Sequence, residues 1–141
     1  MSRLISIDSP SAERSRLRRT VAEALRHLMQ KKTLDGEAKD LAALIVFCLR
    51  ELAAGVDRSA TAWEKRDYFT KADRFRMEWE WAGATADKMA ALIRTDQWHQ
   101  LPPILASLAP RFADVTINKV VRPPSLWHGC YQRLMGEAGR Q

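Results

Sequence analysis

The histidines and cysteines are the side chains of this sequence best suited to metal binding or nucleophilic catalysis, but their spacing favours neither role. Glu23 and His27 are four residues apart, which places both on one face of a helix. Two ligands do not make a metal site, and neither an HExxH motif nor a paired ExxH motif occurs. His128 and Cys130 are two residues apart, a spacing at which helical side chains do not face each other. We therefore expect no bound metal and predict that Cys130 is a packing residue.

Phosphate-binding loops and clustered catalytic carboxylates are also missing from the sequence. Neither GxxxxGK[ST] nor GxGxxG is present, and the six glycines are spread along the chain. Between positions 60 and 82 the carboxylates alternate with basic residues, which is typical of salt bridges along a helix. We therefore expect no catalytic residue and no cofactor, and an enzyme is only the third interpretation of this chain.

Basic residues are concentrated towards the two ends of the chain. The net charge is +6, and the first 34 residues carry eight basic side chains against three acidic ones. Such a patch suits a nucleic acid or another acidic partner, although basic ends also neutralise an acidic middle. The alternative function is therefore a nucleic-acid-binding module that uses the first helix, although no known nucleic-acid-binding motif accompanies it. Its candidate contacts are Arg14, Arg16, Arg18, Arg19, Arg26, Lys31 and Lys32.

Helix caps divide the first half of the chain. Asp8 or Ser9 can cap a first helix, and apolar residues recur at helical spacing behind it. Asp35 can cap a second helix over about residues 36–54, which Gly55 would close. Because this second helix is apolar nearly all round, we predict that it is the central helix of a bundle.

The next segment reads as one long charged helix over residues 60–82. Asp57 or Ser59 would cap it, Gly83 would stop it, and a fourth helix would follow at about residues 84–95. One apolar stripe of this segment contains Tyr68, Ala72, Phe75, Trp79 and Ala82. A second stripe, on nearly the opposite side, contains Trp63, Thr70, Met77 and Trp81.

The C-terminal part of the chain is less regular. Pro102 and Pro103 can begin a short helix, residues 115–121 alternate weakly, and residues 125–135 form a last helix. The sequence therefore predicts an all-α, single-domain helical bundle over residues 1–141, with three long helices and two or three short C-terminal ones. Residues 1–8 would be a flexible or extended N-terminus without a secretory signal. The longest apolar run has nine residues, far short of a membrane span, so we expect a cytoplasmic protein.

The second stripe of the charged segment decides the functional hypothesis. A helix that covers one core needs only one apolar stripe, and a large exposed apolar patch is unusual on a monomer. Either the C-terminal tail of this chain or a second copy of the protein would cover it. We therefore predict a protein–protein interaction or self-association module, a homodimer or a partner of another protein. Its candidate interface is Trp63, Thr70, Met77 and Trp81.

Overall fold

Three long and two short α-helices make up the part of the protein that the structure describes. The computed structural model describes residues 9–117 and 122–138, and no strand occurs among them. The prediction of an all-α, single-domain bundle with three long helices and shorter C-terminal ones is confirmed. The α-helices are α1 (Pro10–Met29), α2 (Gly36–Glu64), α3 (Phe69–Arg94), α4 (Leu101–Leu108) and α5 (Cys130–Ala138). Short 3-10 helices lie at Trp98–Gln100, Ala109–Phe112 and Pro124–Leu126.

The starts of α1 and α2 follow local capping chemistry. The hydroxyl of Ser9 accepts a hydrogen bond from the backbone N–H of Ala12 at 3.1 Å, and Pro10 occupies the first turn. The carboxylate of Asp35 accepts one from the N–H of Ala38 at 2.8 Å. The Asp35 cap was predicted outright and Ser9 was one of two predicted caps for α1, because a cap depends on residues only three positions apart. The expected N-terminus at residues 1–8 lies outside the described residues.

Helix α2 is the centre of the bundle, as predicted. It contacts α1, α3 and α5, so most of its circumference is buried. Its large apolar side chains are buried against these three helices, and burial contributes about 25 cal/mol for each Å² of apolar surface. Its fully buried side chains include Leu41, Ile45, Val46, Leu49 and Leu52, which belong to the same buried cluster as Leu17, Val21, Leu25 and Leu28 of α1.

The end of α2 lies ten residues later than predicted, so the proposed single helix over residues 60–82 is wrong. Gly55 lies inside α2, and neither Asp57 nor Ser59 caps a helix. The helix ends because Asp67 adopts a positive φ of 67°. The N–H of Tyr68 then reaches back to the carbonyl of Trp63 at 2.9 Å, which gives a Schellman ending with aspartate in the place of glycine.

Gly83 does not end α3, and the predicted fourth helix is the second half of α3. A Cβ at Gly83 would lie 3.6 Å from the Cβ of Ala53, so two small residues meet where α3 crosses α2. Helix α3 ends instead just before Asp96, which has a φ of 57°. The backbone hydrogen bonds around Asp96 form the same Schellman ending that follows α2. The glycine is therefore a packing residue, and an aspartate is again the stop.

The C-terminal segment was predicted in outline. Pro102 and Pro103 lie in the first turn of α4, as expected. The predicted last helix is divided in two, because Gly129 adopts a φ of +85° between a 3-10 turn and α5. Of the weakly alternating stretch, residues 115–117 form no strand and the rest lies outside the described residues.

Candidate functional site

The four predicted interface residues do not form one stripe. Trp63 belongs to α2, whereas Thr70, Met77 and Trp81 belong to α3, on the other side of the turn. The ring of Trp63 packs against Phe75 with the centroids 4.9 Å apart. Lys71 covers another part of the Trp63 ring, with its ammonium 4.3 Å from the centroid. Trp63 is therefore partly covered within its own chain.

The C-terminal segment covers part of Trp81. Phe112 meets the Trp81 ring edge to face at 5.8 Å, and Trp79 stacks beside it at 5.6 Å. The guanidinium of Arg111 lies 4.5 Å from the Trp81 centroid. The sequence predicted that either the C-terminal tail or a second copy of the protein would cover this stripe. For Trp81 the tail of the same chain provides part of that cover. Its role in an interface stays a prediction.

Met77 remains the most exposed large apolar side chain of the four. It is 74% exposed, and Phe69, at the start of the same helix, is 56% exposed. Residues seven apart lie nearly above one another on a helix, and this spacing starting from Thr70 defines a line that we call the α3 seam. The members of the seam are all exposed: Thr70, Met77, Ala84 and Ala91.

Charged residues flank the first three seam residues, with acids on one side and bases on the other. Positions three after each of the first three seam residues are acidic, and we call them the acidic edge: Asp73, Glu80 and Asp87. The residues four positions after the first and third seam residues are basic, and we call them the basic edge: Arg74 and Lys88. The residue four positions after the second seam residue, Met77, is Trp81, which is uncharged. Because i+3 and i+4 fall on opposite sides of i on a helix, the seam has an acidic and a basic margin. The seam and both edges together are the α3 face.

The charges of the α3 face are not used within the protomer. Within residues 9–117 and 122–138, none of the five edge side chains makes a hydrogen bond or an ion pair, and all five are exposed. Arg76, next to the face, behaves differently, because it donates to Glu64 at 2.6 Å and to Asp57 at 3.1 Å. Arg76 therefore pairs across to α2 and not along its own helix with Glu80. The edges stay available to a partner.

Two arginines of the predicted nucleic-acid patch hold α1 to the C-terminal segment. Arg18 donates to the carboxylate of Asp114 at 2.7 Å and to the carbonyl of Arg111 at 2.8 Å. The salt bridge raises the pKa of Arg18 and lowers the pKa of the Asp114 carboxyl, mainly through this hydrogen bond. Arg26 donates to the carbonyl of Ile117 at 2.6 Å. These side chains have a structural role in the described fold.

Most of the remaining patch is also engaged within the chain. Lys31 pairs with Asp35 at 2.7 Å and with Glu37 at 2.9 Å, and the guanidinium of Arg14 lies 5.0 Å from the ring of Phe75. Arg16 pairs with Glu13 at 3.6 Å. Among the seven candidates, only Arg19 and Lys32 make no such contact with the described residues. A nucleic acid would therefore have to displace existing contacts along α1.

The glutamate–histidine pair of α1 is part of a buried polar cluster. Glu23 is 3% exposed and accepts hydrogen bonds from the backbone N–H of Arg122 at 2.9 Å and from its side chain at 3.4 Å. His27 turns instead towards Glu37, with 3.7 Å between Nε2 and Oε1, and packs against Trp127. No group of three residues that could hold a metal ion occurs within the described ranges. The cluster ties residue 122 to α1.

The two cysteines are buried thiols. Burial raises the pKa of Cys48 to about 12, and burial also raises the pKa of Cys130. A protonated thiol is a poor nucleophile, and the exposed His128 does not share the buried position of Cys130. The packing role predicted for Cys130 agrees with its exposure of 3%.

A groove of about 380 Å³ lies between the start of α1 and the second half of α2. Its walls include Leu17, Leu52, Val56 and Trp63, and its rim includes Glu51. It contains no histidine or cysteine. The groove is therefore a cleft between two helices with apolar walls and a charged rim, and its lining shows no histidine or cysteine ligand set.

Comparison with known proteins does not add a function to this geometry. No protein-family model, curated protein or solved structure matches the chain. Across the described residues, every helix is too short or too polar to cross a lipid bilayer. The α3 face is therefore the most distinctive candidate site among the described residues. Sequence reasoning missed the second half of this face because it ended the helix at Gly83. The apolar spacing of Ala82, Ala86, Met89 and Ile93 continues through that position and was the available signal.

Proposed function

We propose that this protein functions by binding another protein through the α3 face, without catalysing a reaction. The observation that carries the proposal is the exposure of Met77, at 74%, on a line with two small residues and between charged edges of opposite sign. An apolar side chain at the centre with charges at the margins is the usual anatomy of a protein interface. Candidate residues Thr70 and Met77 belong to this surface.

The shape of the α3 face specifies the chemistry of its partner. Ala84 and Ala91 present only methyl groups, so another backbone can approach closely beside Met77. The face is one helix wide, which suits a second helix better than a flat sheet. Its partner should carry a small or apolar central line, an acidic margin opposite the basic edge and a basic margin opposite the acidic edge.

The free energy available from this surface indicates weak affinity, because association itself costs about 4–15 kcal/mol of translational and rotational freedom. Complete burial of a methionine side chain contributes about 1.5–3 kcal/mol, and Phe69 can add to it at the margin. Exposed ion pairs contribute only about 0.2–1 kcal/mol each, so the edges select the partner more than they hold it. The proposal places this association in the cytoplasm, because Cys48 and Cys130 are both free thiols, as is usual in a reducing compartment.

Substitution of Met77 by glutamate tests this function. We expect Met77→Glu to keep the helix content of the wild type, because the side chain is exposed, and to abolish association. The control is Ala54→Glu, which adds the same charge at an exposed position of α2. Proximity labelling with the full chain in cells and light scattering of the purified chain would compare the three proteins. The proposal is wrong if Met77→Glu has the same labelled partners and the same mass as the wild type.

A further inference from the structure

The α3 face repeats at the heptad interval of a helix pair, although it supplies only one of the two apolar positions that each heptad of a coiled coil contains. The seam residues recur every seven positions over three heptads, which is the repeat that keeps one line of a helix against a partner helix. The acidic edge repeats at the same interval on one side of the seam, whereas the two residues of the basic edge, on the other side, are 14 positions apart with Trp81 between them. Such a face is complementary to itself, because it contains both margins that its partner must provide.

The order of the charges selects a relative direction for two copies. When two identical helices lie parallel about a twofold axis, the left margin of one faces the right margin of the other, so acidic meets basic beside the first and third seam residues, while Glu80 faces Trp81 beside the second. Asp73 of one copy then lies beside Arg74 of the other, and Asp87 beside Lys88. In an antiparallel pair the same margins would meet, so acids would face acids and bases would face bases. Opposite charges favour the first arrangement and like charges disfavour the second.

From these observations we infer that the partner of the α3 face is a second copy of this chain, with the two α3 helices parallel and side by side about a twofold axis. The inference rests on the proposed function and names its partner. Each seam residue meets its own counterpart, so Met77 packs on Met77 and Ala84 on Ala84. The alanines let the two helices approach closely at one end, while the methionines fill the wider space at the other. Phe69, beside the first seam residue, extends the apolar contact.

The neighbouring structure leaves this arrangement accessible. The other sides of α3 are covered by α2, α4 and α5, and the tail segment packs on Trp81. The seam and edge residues are all exposed between these neighbours. The edge charges also need not break any existing ion pair when a second copy binds, because they make none within the described residues. The dimer therefore forms from protomers that keep their fold.

Cross-linking of single-cysteine substitutions tests the partner and the direction together. In a parallel pair every seam position meets itself, so Met77→Cys and Ala91→Cys should each give a covalent dimer with a short bis-maleimide. The two positions are 14 residues apart, about 21 Å along the helix, so an antiparallel pair would cross-link with itself at one of them at most. Ala54→Cys, on α2, is the exposed control, and the wild type controls for the buried native thiols.

Charge reversal at one edge provides a second, independent test. Reversal of the acidic edge (Asp73→Lys with Asp87→Lys) or of the basic edge (Arg74→Glu with Lys88→Glu) places like charges across the seam. Each variant alone should dimerise roughly tenfold more weakly or worse, and an equal mixture should recover a mixed dimer. Sedimentation velocity at low salt measures both effects.

The outcomes separate this inference from the function on which it rests. A wild-type chain that is monomeric at the highest concentrations reached, or a dimer that does not cross-link at both seam positions, overturns the inference. If such a chain still loses a labelled cellular partner on Met77→Glu, the proposed function stands and the partner is another protein. If Met77→Glu changes neither mass nor partners, both proposals fail.

Discussion

Replacement of Gly83 by alanine distinguishes sharply between the helix that the sequence suggested and the helix that the structure shows. As a helix stop, Gly83 would need a positive φ, which alanine adopts only with strain. In the structure it lies in the interior of α3, where alanine is the residue that favours helix most. The same substitution should therefore destabilise the first arrangement and stabilise the second.

The expected size of the effect follows from two contributions. Alanine is favoured over glycine in a helix interior by about 0.8–1.0 kcal/mol, largely because glycine loses more backbone entropy on folding. The added methyl group would lie 3.6 Å from the Cβ of Ala53, an ordinary van der Waals contact that adds about 0.1–0.2 kcal/mol. We therefore expect Gly83→Ala to raise the free energy of unfolding by about 1 kcal/mol. At a helix stop the change would have the opposite sign and a similar size.

Urea denaturation followed by circular dichroism measures this difference directly, and the slope of the unfolding free energy against urea concentration should stay the same. Thermal denaturation of the same variant should show a melting temperature about 3–5 °C higher for a chain of this length. Gly129→Ala is the matched control, because Gly129 has a φ of +85° and open space around it, so alanine there should cost about 1–2 kcal/mol. A loss of stability for Gly83→Ala of the same size as for Gly129→Ala would refute the continuous helix α3.

Three further predictions concern buried or paired side chains. Because Cys48 and Cys130 are buried and their pKa values are raised, neither should react with a thiol reagent such as DTNB at pH 8 until the chain is unfolded; rapid labelling of the native protein would contradict this packing. Trp81→Ala should lower the free energy of unfolding by about 2 kcal/mol, less than for a fully buried tryptophan because the Trp81 side chain is half-buried. Chemical denaturation measures this loss, and an unchanged stability would show that the tail does not cover Trp81. The hydrogen bond from Arg76 holds the pKa of Glu64 below its ordinary 4.5, so this contribution to stability is complete above pH 4.5 and is lost as the pH falls through the lower value of the folded state. Arg76→Gln should therefore make unfolding less sensitive to acid below pH 4.5, and an unchanged pH dependence would show that the pair does not stabilise the fold.

Local chemistry in the sequence was enough to predict where the first two helices begin and that the second helix is buried on most sides. Ser9 and Asp35 cap helices through hydrogen bonds that span three residues, so their effect is visible in a short window of sequence. The apolar run of α2 likewise predicts a helix that is buried on most sides. The fold class follows from such signals, because the weak alternation of residues 115–121 has no second strand to pair with across a hairpin turn.

The ends of α2 and α3 were predicted wrongly because glycine is ambiguous in sequence. Gly55 and Gly83 looked like stops, but tertiary packing keeps both inside helices, since burial of the surrounding residues outweighs a glycine penalty of about 1 kcal/mol. Asp67 and Asp96 end the helices instead, each with a positive φ that aspartate tolerates better than most residues. Only the packed structure shows which of these residues takes that conformation.

By itself the sequence determined a helical bundle around an apolar second helix, and it pointed to Met77 and Thr70 as surface candidates. The tertiary structure decided that Trp63 lies on a different helix and that Phe112 covers Trp81. It also extended α3 through Gly83, which brings two further seam positions and the second half of both charged edges onto the same exposed face. The physical reason is that periodicity fixes which residues share a side of a helix, whereas exposure depends on contacts between segments that are distant in the chain.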